Sequence, residues 1–530
     1  MSRRFILREL SRYRIGTFAD IIYRNAILHG EKEAFIYGSE RITFQAFNAR
    51  VNSLIDALLD RGVRKGAVLG ILSWNCLEYL DVDGAAMKGG FIASPFNPRL
   101  LPEELEYLIN YSEADVLFVG PELVDAVNSL RPRIPRVKHY ISFEGAAPDM
   151  VPHAELLERT RPEEPDVYVE REDPFLLLYT SGTTGVPRGA LYTQARKMEN
   201  TRVKALELGV DSRDKHLMVL PMFHIGGDSH MWPFFYVGGA NVIMPQRSFD
   251  PDATLQAIQA EKVTDLQIVP TQLVAMLSRS NFDRYDLSSL KRIWYAASPM
   301  PVELLRKGLK IFGPVFAQGY GQTESGPEIT FLPRNDHEVL HKPEEEQTAL
   351  RSCGQPSIGV HVRIVDDDHK DVAPEVPGEI IARSESVMVE YWKKPEDTAE
   401  AIIDGWLHTG DMGYYDEKGY IYIVDRKKDM IVSGGENVYP REVEEILYRH
   451  PAVSEAAVIG LPDPLWVERV HAVIILKEGA SATAEEIISF CKKHAASFKA
   501  PKSVDFVDAL PKNPQGKILK RELRRTLSPP

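Results

Sequence analysis

The stretch Phe175-Leu176-Leu177-Leu178-Tyr179-Thr180-Ser181-Gly182-Thr183-Thr184-Gly185-Val186-Pro187-Arg188-Gly189 joins an apolar run to a loop rich in glycine and hydroxyl side chains. Glycines let backbone N–H groups turn toward an anion, hydroxyls donate further hydrogen bonds, and Arg188 adds a fixed positive charge. A buried strand that leads into such a loop is typical of ligand sites in open α/β sheets. The stretch therefore predicts a polyphosphate-binding loop in an α/β fold.

Two common nucleotide motifs do not fit this chain. The P-loop places Lys after the second glycine of G-x-x-x-x-G-K-[ST], but Pro187 stands five positions beyond Gly182. The dinucleotide pattern G-x-G-x-x-G begins at Gly319 and ends in Glu324, which is not a glycine. We therefore expect neither a P-loop kinase or GTPase nor a nicotinamide-dependent enzyme.

Apolar runs alternate with helical periodicity on both sides of the loop, and this alternation predicts parallel sheets in two doubly wound halves. Strands are predicted at 67–72 and 116–119 before the loop, and at 217–220, 241–244, 266–269, 292–295 and 315–318 after it. Helices are predicted at 46–59, 103–109, 253–261, 271–278 and 302–312.

The chain changes character after residue 350. Close turns and β-rich runs over 350–425 predict a small antiparallel subdomain, and helices at 441–449 and 484–496 with strands at 456–459 and 470–476 predict a compact α+β unit. The predicted fold is therefore α/β, with a large N-terminal domain of two doubly wound sheets plus a β-rich subdomain, and a small mobile α+β C-terminal domain. We place the N-terminal domain at 1–424, a hinge at 425–429 and the C-terminal domain at 430–530.

Composition favours a small-molecule ligand. A net charge of −13 argues against a general nucleic-acid binder, so the basic residues that bind a polyphosphate must gather in one cleft. The three cysteines, Cys76, Cys353 and Cys491, show neither metal-ligand spacing nor a disulfide framework. The start is basic without a long apolar region, and no stretch reaches the roughly 20 apolar residues of a membrane span. We expect a cytoplasmic protein without stable membrane insertion, and a homodimer stays open.

Three segments follow predicted strand ends and should line one sheet edge. They are Pro221-Met222-Phe223-His224, Ala296-Ala297-Ser298-Pro299 and Gln318-Gly319-Tyr320-Gly321-Gln322-Thr323-Glu324. The third offers an aromatic face for a base, a hydroxyl for a phosphate and a carboxylate suited to Mg²⁺.

Further along stand Asp404-Gly405-Trp406-Leu407-His408-Thr409-Gly410-Asp411, the run 425–429, and Pro511-Lys512-Asn513-Pro514-Gln515-Gly516-Lys517-Ile518. In this order, together with 180–189 and 320–324, these motifs resemble the adenylate-forming superfamily of acyl-CoA synthetases, aryl-CoA ligases, nonribosomal adenylation domains and firefly luciferase. The resemblance covers nearly the whole chain, from Phe96 through Lys517. It implies that a carboxylate and ATP form an acyl-adenylate and pyrophosphate, and that a thiol then displaces AMP.

The resemblance also implies roles for individual residues. Ser181, Thr183 and Thr184 would hold the β- and γ-phosphates, Thr323 the α-phosphate, and Glu324 a Mg²⁺ ion, while Tyr320 would stack on adenine, Asp411 would accept the ribose hydroxyls and Arg426 would contact the ribose and phosphates. Lys517 would bridge the attacking carboxylate and the α-phosphate. The remaining expected ATP or AMP contacts are Thr180, Gly182, Gly185, Arg188, Ser298, Gly319 and Gly321. The catalytic set is Lys517, Glu324 and His224.

The segment that includes Gly434, Gly435 and Glu436 resembles the part of CoA ligases that lines the pantetheine tunnel, and Lys428 occupies the hinge position. A rotation about Lys428 would exchange Lys517 for Gly434 and Gly435 between the two half-reactions. Arg188 departs from the family, which usually has Lys at this position of the loop.

His224 and Gly319 are expected to line the acyl pocket, because glycine at 319 leaves space that a bulkier residue would fill. The sequence favours an ATP-dependent acyl-CoA ligase for a medium- or long-chain fatty acid or an aromatic acid, with Mg²⁺ as cofactor and ATP and CoA as cosubstrates. A freestanding adenylation enzyme that loads a phosphopantetheinyl carrier protein is the alternative. A luciferase rests on no feature of this chain, and a degenerate AMP-binding regulator conflicts with the presence of Glu324, Asp411, Arg426 and Lys517.

Overall fold

Secondary structure follows the alternation expected from the sequence. The computed structural model describes residues 12–145, 147–158, 163–180, 187–245, 247–279, 282–298, 300–326, 328–343, 346–426, 429–433, 436–463, 466–512 and 518–527, without the side chains of Asp283, Asp425, Arg426, Glu436 and Asn437. The first strands are β1 (Glu33–Tyr37), β2 (Glu40–Thr43), β3 (Val68–Leu72), β4 (Ile92–Phe96), β5 (Val116–Val119), β6 (His139–Ser142), β7 (Val151–Pro152), β8 (Pro174–Thr180) and β9 (Arg188–Thr193). They are followed by β10 (Lys215–Met218), β11 (Ala240–Ile243), β12 (Asp265–Ile268), β13 (Arg292–Tyr295), β14 (Phe316–Tyr320), β15 (Thr330–Leu332) and β16 (Gln355–Pro356).

The last third of the chain holds the shorter sheets. Its strands are β17 (Val360–Val365), β18 (Gly378–Ser384), β19 (Glu390–Tyr391), β20 (Ile402–Ile403), β21 (Trp406–Tyr415), β22 (Ile421–Arg426), β23 (Ile431–Ser433), β24 (Glu436–Val438), β25 (Val453–Asp463), β26 (Val467–Leu476) and β27 (Ser503–Phe506).

The α-helices connect these strands and cover the sheets. In chain order they are α1 (Phe18–Leu28), α2 (Phe44–Asp60), α3 (Leu77–Gly89), α4 (Pro102–Ser112), α5 (Val124–Leu130), α6 (His153–Leu157), α7 (Gln194–Leu208), α8 (Ile225–Val237), α9 (Pro251–Glu261), α10 (Pro270–Leu277), α11 (Val302–Phe312), α12 (Pro395–Ala401), α13 (Pro440–Tyr448), α14 (Ala484–His494) and α15 (Lys520–Leu527). No helix among the described residues is both long enough and apolar enough to cross a membrane.

Four sheets organise the described part of the chain. The first has the order β19-β9-β8-β4-β3-β5-β6-β7. Its six strands β8, β4, β3, β5, β6 and β7 are parallel to one another. At the edge, β9 is antiparallel to β8 and β19 is antiparallel to β9. The second has the order β16-β15-β14-β13-β12-β10-β11-β1-β2, and its strands β14 to β1 are parallel. Strands β17, β18, β20, β21 and β22 form a small antiparallel sheet, and β23 to β27 form the sheet of the C-terminal unit.

One core lies between the two large sheets. Ile71 and Leu178 from the first sheet and Phe35 and Met218 from the second belong to the same buried cluster. Parallel strands buried on both faces read as continuous apolar runs, and β3 is buried at all five of its residues. Helices α2 and α3 pack closely because residue 84 is glycine: a Cβ there would lie 2.4 Å from Cγ2 of Val51.

The C-terminal unit has its own core, to which α13 and α14 contribute Val443, Leu447 and Ile487. It contacts the antiparallel sheet through Arg441, whose Nη1 donates to the carbonyl of Ile423 over 2.7 Å. Strand β22 ends at Arg426 and β23 begins at Ile431, on either side of the expected hinge. The domain limits at 424 and 430 stay predictions.

The predicted fold class is confirmed. The strands at 116–119 and 292–295 and the helix at 302–312 match the prediction to the residue. Sequence reading missed the hairpin β1–β2, which joins the edge of the second sheet through β11. Strand β9, which follows the glycine-rich segment along the chain, pairs antiparallel with β8.

Candidate active site

The parallel strands of the second sheet bring the expected segments to one edge. Strands β10, β12, β13 and β14 are neighbours and run in the same direction, so their carboxyl ends lie together. His224 and Ser298 follow β10 and β13 along the chain, and Tyr320 closes β14. Gly321 and Thr323 come directly after β14, and the Thr323 carbonyl accepts a hydrogen bond from the hydroxyl of Tyr192.

Glu324 links this edge to the first sheet. Its Oε1 accepts hydrogen bonds from Oγ1 of Thr180, at the end of β8, over 3.2 Å and from the hydroxyl of Tyr391, on β19, over 2.7 Å. The residue is only 9% exposed. Among the described residues, the second carboxylate oxygen accepts no hydrogen bond. The structure therefore places a preorganised carboxylate beside Thr180, the last described residue before the glycine-rich segment, with one oxygen held by two hydroxyls.

Asp411 forms a second polar group at the same edge. Its Oδ2 accepts hydrogen bonds from the Tyr320 hydroxyl over 2.9 Å and from Nε2 of Gln322 over 2.8 Å. Nε2 of Gln322 also donates to the Thr409 carbonyl over 2.7 Å. Burial raises the pKa of Tyr320 well above its usual value, and the Asp411 carboxylate adds to this shift, so the phenol stays protonated and donates. These bonds attach the antiparallel sheet to the second sheet.

Arg188 packs against the aromatic ring of Tyr391, and the hydroxyl of that residue donates a hydrogen bond to Glu324. Its guanidinium carbon stands 4.3 Å from the ring centre of Tyr391, and its Nη1 is 3.8 Å from Oδ2 of Asp397. Burial and then the Glu324 carboxylate raise the pKa of Tyr391 above its usual value, so its hydroxyl remains a donor to Glu324. Arg188 therefore contacts the ring whose hydroxyl binds the Glu324 carboxylate, and it acts on this carboxylate only indirectly.

We expect Arg188→Lys to keep ATP–pyrophosphate exchange within about tenfold of the parent enzyme, because both cations carry the charge that a phosphate needs. A lysine ammonium can also lie over the Tyr391 ring, with a weaker fit than a planar guanidinium. The exchange rate of the variant, measured with saturating ATP and acid, checks this. A larger loss would show that the planar fork of Arg188 is required.

His224 stands at the start of α8, where its ring centre lies 4.5 Å from that of Phe223. Burial lowers the pKa of His224 to about 3, with a smaller contribution from the Arg99 cation. The imidazole is therefore neutral at pH 7 and can exchange hydrogen bonds but supplies no charge. Its Nε2 has no hydrogen-bond partner among the described residues.

Gly319 is packed against a tryptophan. A Cβ at residue 319 would lie 2.1 Å from Cζ2 of Trp294, on the neighbouring strand β13. Trp294 can therefore pack here because residue 319 is glycine. The role of Gly319 in the acyl pocket stays a prediction.

Several expected residues lie outside the described part of the chain. These are Ser181, Gly182, Thr183, Thr184, Gly185, Lys428, Gly434, Gly435 and Lys517, together with the side chains of Arg426 and Glu436. The backbone of Arg426 pairs with Asp411 between β22 and β21. Sequence reading missed Tyr391 and gave Gln322 no role of its own. Gln322 lies inside a quoted motif, whereas Tyr391 reaches Glu324 only through the pairing of β19 with β9.

Two α/β lobes that meet at a buried carboxylate, an antiparallel subdomain that contributes Asp411 and a small C-terminal domain define an adenylate-forming enzyme. The description "AMP-binding enzyme" matches residues 22–392, and "AMP-binding enzyme C-terminal domain" matches residues 442–517. The chain belongs to the AMP-binding enzyme family, in the branch of acyl-CoA and aryl-CoA ligases.

Relatives span almost the full chain. A feruloyl-CoA synthase of an Amycolatopsis species is 36% identical over 503 residues, which cover 95% of this chain and 97% of the relative. A fatty acid–[acyl-carrier-protein] ligase of Streptomyces coeruleorubidus is 33% identical and covers 91% of each chain. The crystal structure of the anthranilate CoA ligase AuaEII in complex with anthranoyl-AMP superposes with a TM-score of 0.88 at 29% identity, over 97% of both chains.

Proposed function

We propose that this protein activates a carboxylic acid with ATP to an acyl-adenylate and pyrophosphate, and then transfers the acyl group to the thiol of CoA with release of AMP. One observation carries the proposal: the Glu324 carboxylate is held between the two large sheets by Thr180 and Tyr391, beside the glycine-rich segment. Such an arrangement suits a triphosphate with a counterion. Relatives that are CoA ligases over their whole length support the same reaction.

The nucleoside would bind at the Asp411 group. Asp411 accepts two side-chain hydrogen bonds at Oδ2, from Tyr320 and Gln322, which fix the orientation of the carboxylate. A carboxylate is suited to accept hydrogen bonds from both ribose hydroxyls, and the Tyr320 ring provides a face for adenine. The hydroxyl bond to Asp411 holds that ring in place, so the two groups would select the nucleoside together.

Mg²⁺ fits the residues present. It prefers oxygen ligands and usually binds through one or two carboxylates plus substrate phosphates. Glu324 offers an oxygen that accepts no hydrogen bond among the described residues, and the Thr180 hydroxyl lies beside its other oxygen. A bound Mg²⁺ ion would neutralise charge on the phosphates. The protein's part is to hold the Glu324 carboxylate oriented before ATP arrives.

The thiol step would need the C-terminal domain to turn. Lys517 serves adenylation and the segment with Gly434 and Gly435 serves the thiol, so one rotation about Lys428 would present each in turn. The unit is attached to the antiparallel sheet by the Arg441 contact and has a separate core. A separate core lets it move as a rigid body.

The acid is proposed to be aromatic or a medium- to long-chain fatty acid. A phosphopantetheinyl carrier protein is the second candidate acceptor, since a ligase for a fatty acid and an acyl carrier protein is 33% identical to this chain. Cytoplasmic location, the lack of a nucleic-acid partner and homodimer formation stay predictions from the sequence.

ATP–pyrophosphate exchange across short-, medium- and long-chain fatty acids and aromatic acids tests the first half-reaction. We expect exchange with at least one aromatic or longer-chain acid and little with acetate. Free CoA and a phosphopantetheinylated carrier protein are then compared as acceptors for the best acid. Exchange with none of the acids would overturn the proposed function, and thioester formation on the carrier alone would replace CoA as the acceptor.

A further inference from the structure

Three buried side chains below the candidate acyl pocket have polar atoms without partners among the described residues. They are Oε1 of Gln267, Nε1 of Trp294 and Nδ1 of His230. The three residues, which we call the polar cluster, are 4%, 1% and 0% exposed. Buried polar atoms of folded proteins almost always have a hydrogen-bond partner, so three orphaned atoms in one place point to a partner from outside the chain.

The polar cluster is a single group in space. Gln267 and Trp294 are paired residues of the parallel strands β12 and β13, so their side chains leave the sheet on the same face. His230 belongs to α8, which covers that face, and its ring centre lies 5.6 Å from that of Trp294. The cluster therefore lies between the second sheet and α8.

Two glycines connect the polar cluster with the acyl pocket. The Cβ position of Gly319, next to Tyr320, lies 2.9 Å from Cε2 of Trp294, the ring carbon bonded to Nε1. The Cβ position of Gly226, two residues after His224, lies 3.6 Å from Nε2 of Gln267. Gly319 and His224 were expected to line the acyl pocket. Gly319 contacts the polar cluster directly, and His224 stands two residues before Gly226, which also contacts it.

Hydrogen bonding decides which atoms of His230 are available. Its Nε2 lies 2.8 Å from Oδ1 of Asp265, which His216 also contacts over 3.0 Å, and Oδ2 of Asp265 accepts from Arg292. Burial lowers the pKa of His230 to about 3, so the ring is neutral and carries its proton on the nitrogen that faces the carboxylate. Nδ1 is therefore an acceptor.

The three orphaned atoms are thus one donor, the indole N–H, and two acceptors, and the amide N–H groups of Gln267 are further donors of the polar cluster. Resting on the proposed function, we propose that the acid activated by this enzyme carries a neutral group that both donates and accepts hydrogen bonds, a hydroxyl or a primary aromatic amine, which binds Gln267, Trp294 and His230. A plain alkyl or phenyl end would leave all three atoms unpaired, which costs affinity.

The charges around the polar cluster disfavour a second carboxylate on the acid. Nζ of Lys204 lies 5.0 Å from the Trp294 ring centre but is paired with Oε1 of Glu328 over 2.6 Å. Arg292 is paired with Asp265 and with Asp214. Because both cations are already compensated by acids, a buried anion here would lack a counter-charge.

The test compares kcat/KM for adenylation within pairs of acids that differ only in one polar substituent. The pairs are para-hydroxycinnamate and cinnamate, para-aminobenzoate and benzoate, and a terminal hydroxy fatty acid with its parent acid, with para-carboxybenzoate as the dianionic arm. We expect one substituted acid to exceed its parent by about ten- to a hundredfold. Trp294→Phe and Gln267→Met each should bring that ratio toward one, whatever the change in the rate with the unsubstituted acid.

Tyr295→Phe is the matched control. Tyr295 is the next residue of β13 but faces the other side of the sheet, where its hydroxyl bonds His337 over 2.9 Å. The control should leave the ratio unchanged. Ratios near one for every pair in an active parent enzyme, or ratios that both cluster variants preserve, would overturn the inference and leave the proposed function standing. An enzyme that activates no acid would instead overturn the proposed function.

Discussion

Glu324→Gln is expected to lower ATP–pyrophosphate exchange by about 10²–10³ without unfolding the protein, because a preorganised charged partner of the reacting phosphates contributes on this scale. The amide keeps the shape of the side chain and can still accept from Thr180 and Tyr391, so the substitution removes charge more than contacts. Exchange rates at saturating ATP and acid, measured over a range of Mg²⁺ concentrations, give the size of the loss.

Glu390→Gln serves as the control for this variant. Glu390 precedes Tyr391 on β19, and replacing it changes the net charge by the same amount at a half-buried position. It should leave exchange within about twofold of the parent. Thermal unfolding of both variants shows whether the fold persists. A loss below about tenfold for Glu324→Gln in a folded protein would contradict a role for this carboxylate in binding the counterion.

Lys517→Ala should separate the two half-reactions. We expect adenylation to fall by about 10²–10³, since the lysine charge would offset negative charge that gathers between carboxylate and α-phosphate. Lys517 itself lies outside the described residues, but the ends of its loop are held together. Lys512 and Ile518 form an antiparallel bridge, and the Leu519 N–H donates to the Pro511 carbonyl over 2.8 Å.

The second half-reaction is measured with supplied acyl-adenylate and CoA, and thioester formation should persist in Lys517→Ala. Lys520→Ala is a matched control, because Lys520 pairs with Glu444 over 2.9 Å within the C-terminal unit. This control should retain both steps. Equal loss of both steps in Lys517→Ala would refute the division of labour between Lys517 and the segment with Gly434 and Gly435.

Local sequence patterns predicted most of the fold. Continuous apolar runs such as Val116–Val119 identify strands buried on both faces, and the periodicity of Val302–Phe312 identifies an amphipathic helix. Both patterns depend only on residues that are close together along the chain. The hairpin of β1 and β2 lacked such a signal for its location, because its partner β11 lies about two hundred residues away, and only global packing selects that edge.

The candidate site likewise contains residues that the sequence predicted and residues that it did not. Glu324, Tyr320 and Asp411 were identified from motifs, since one short segment carries each chemical group. Tyr391 was not, because a lone aromatic residue shows no pattern until β19 pairs with β9 and brings it to Glu324. Trp294 was read only as a strand residue, although its indole fills the space beside Gly319.

The sequence by itself determined the family, the alternation of strands and helices, and the chemical groups of the adenylation motifs, because each is encoded within a few consecutive residues. The tertiary structure alone decided how Thr180, Tyr391 and Glu324 meet, and that Trp294 packs against Gly319. Those relations depend on strand order and register across two sheets. The free energy of such contacts is shared between distant segments, so no local pattern records it.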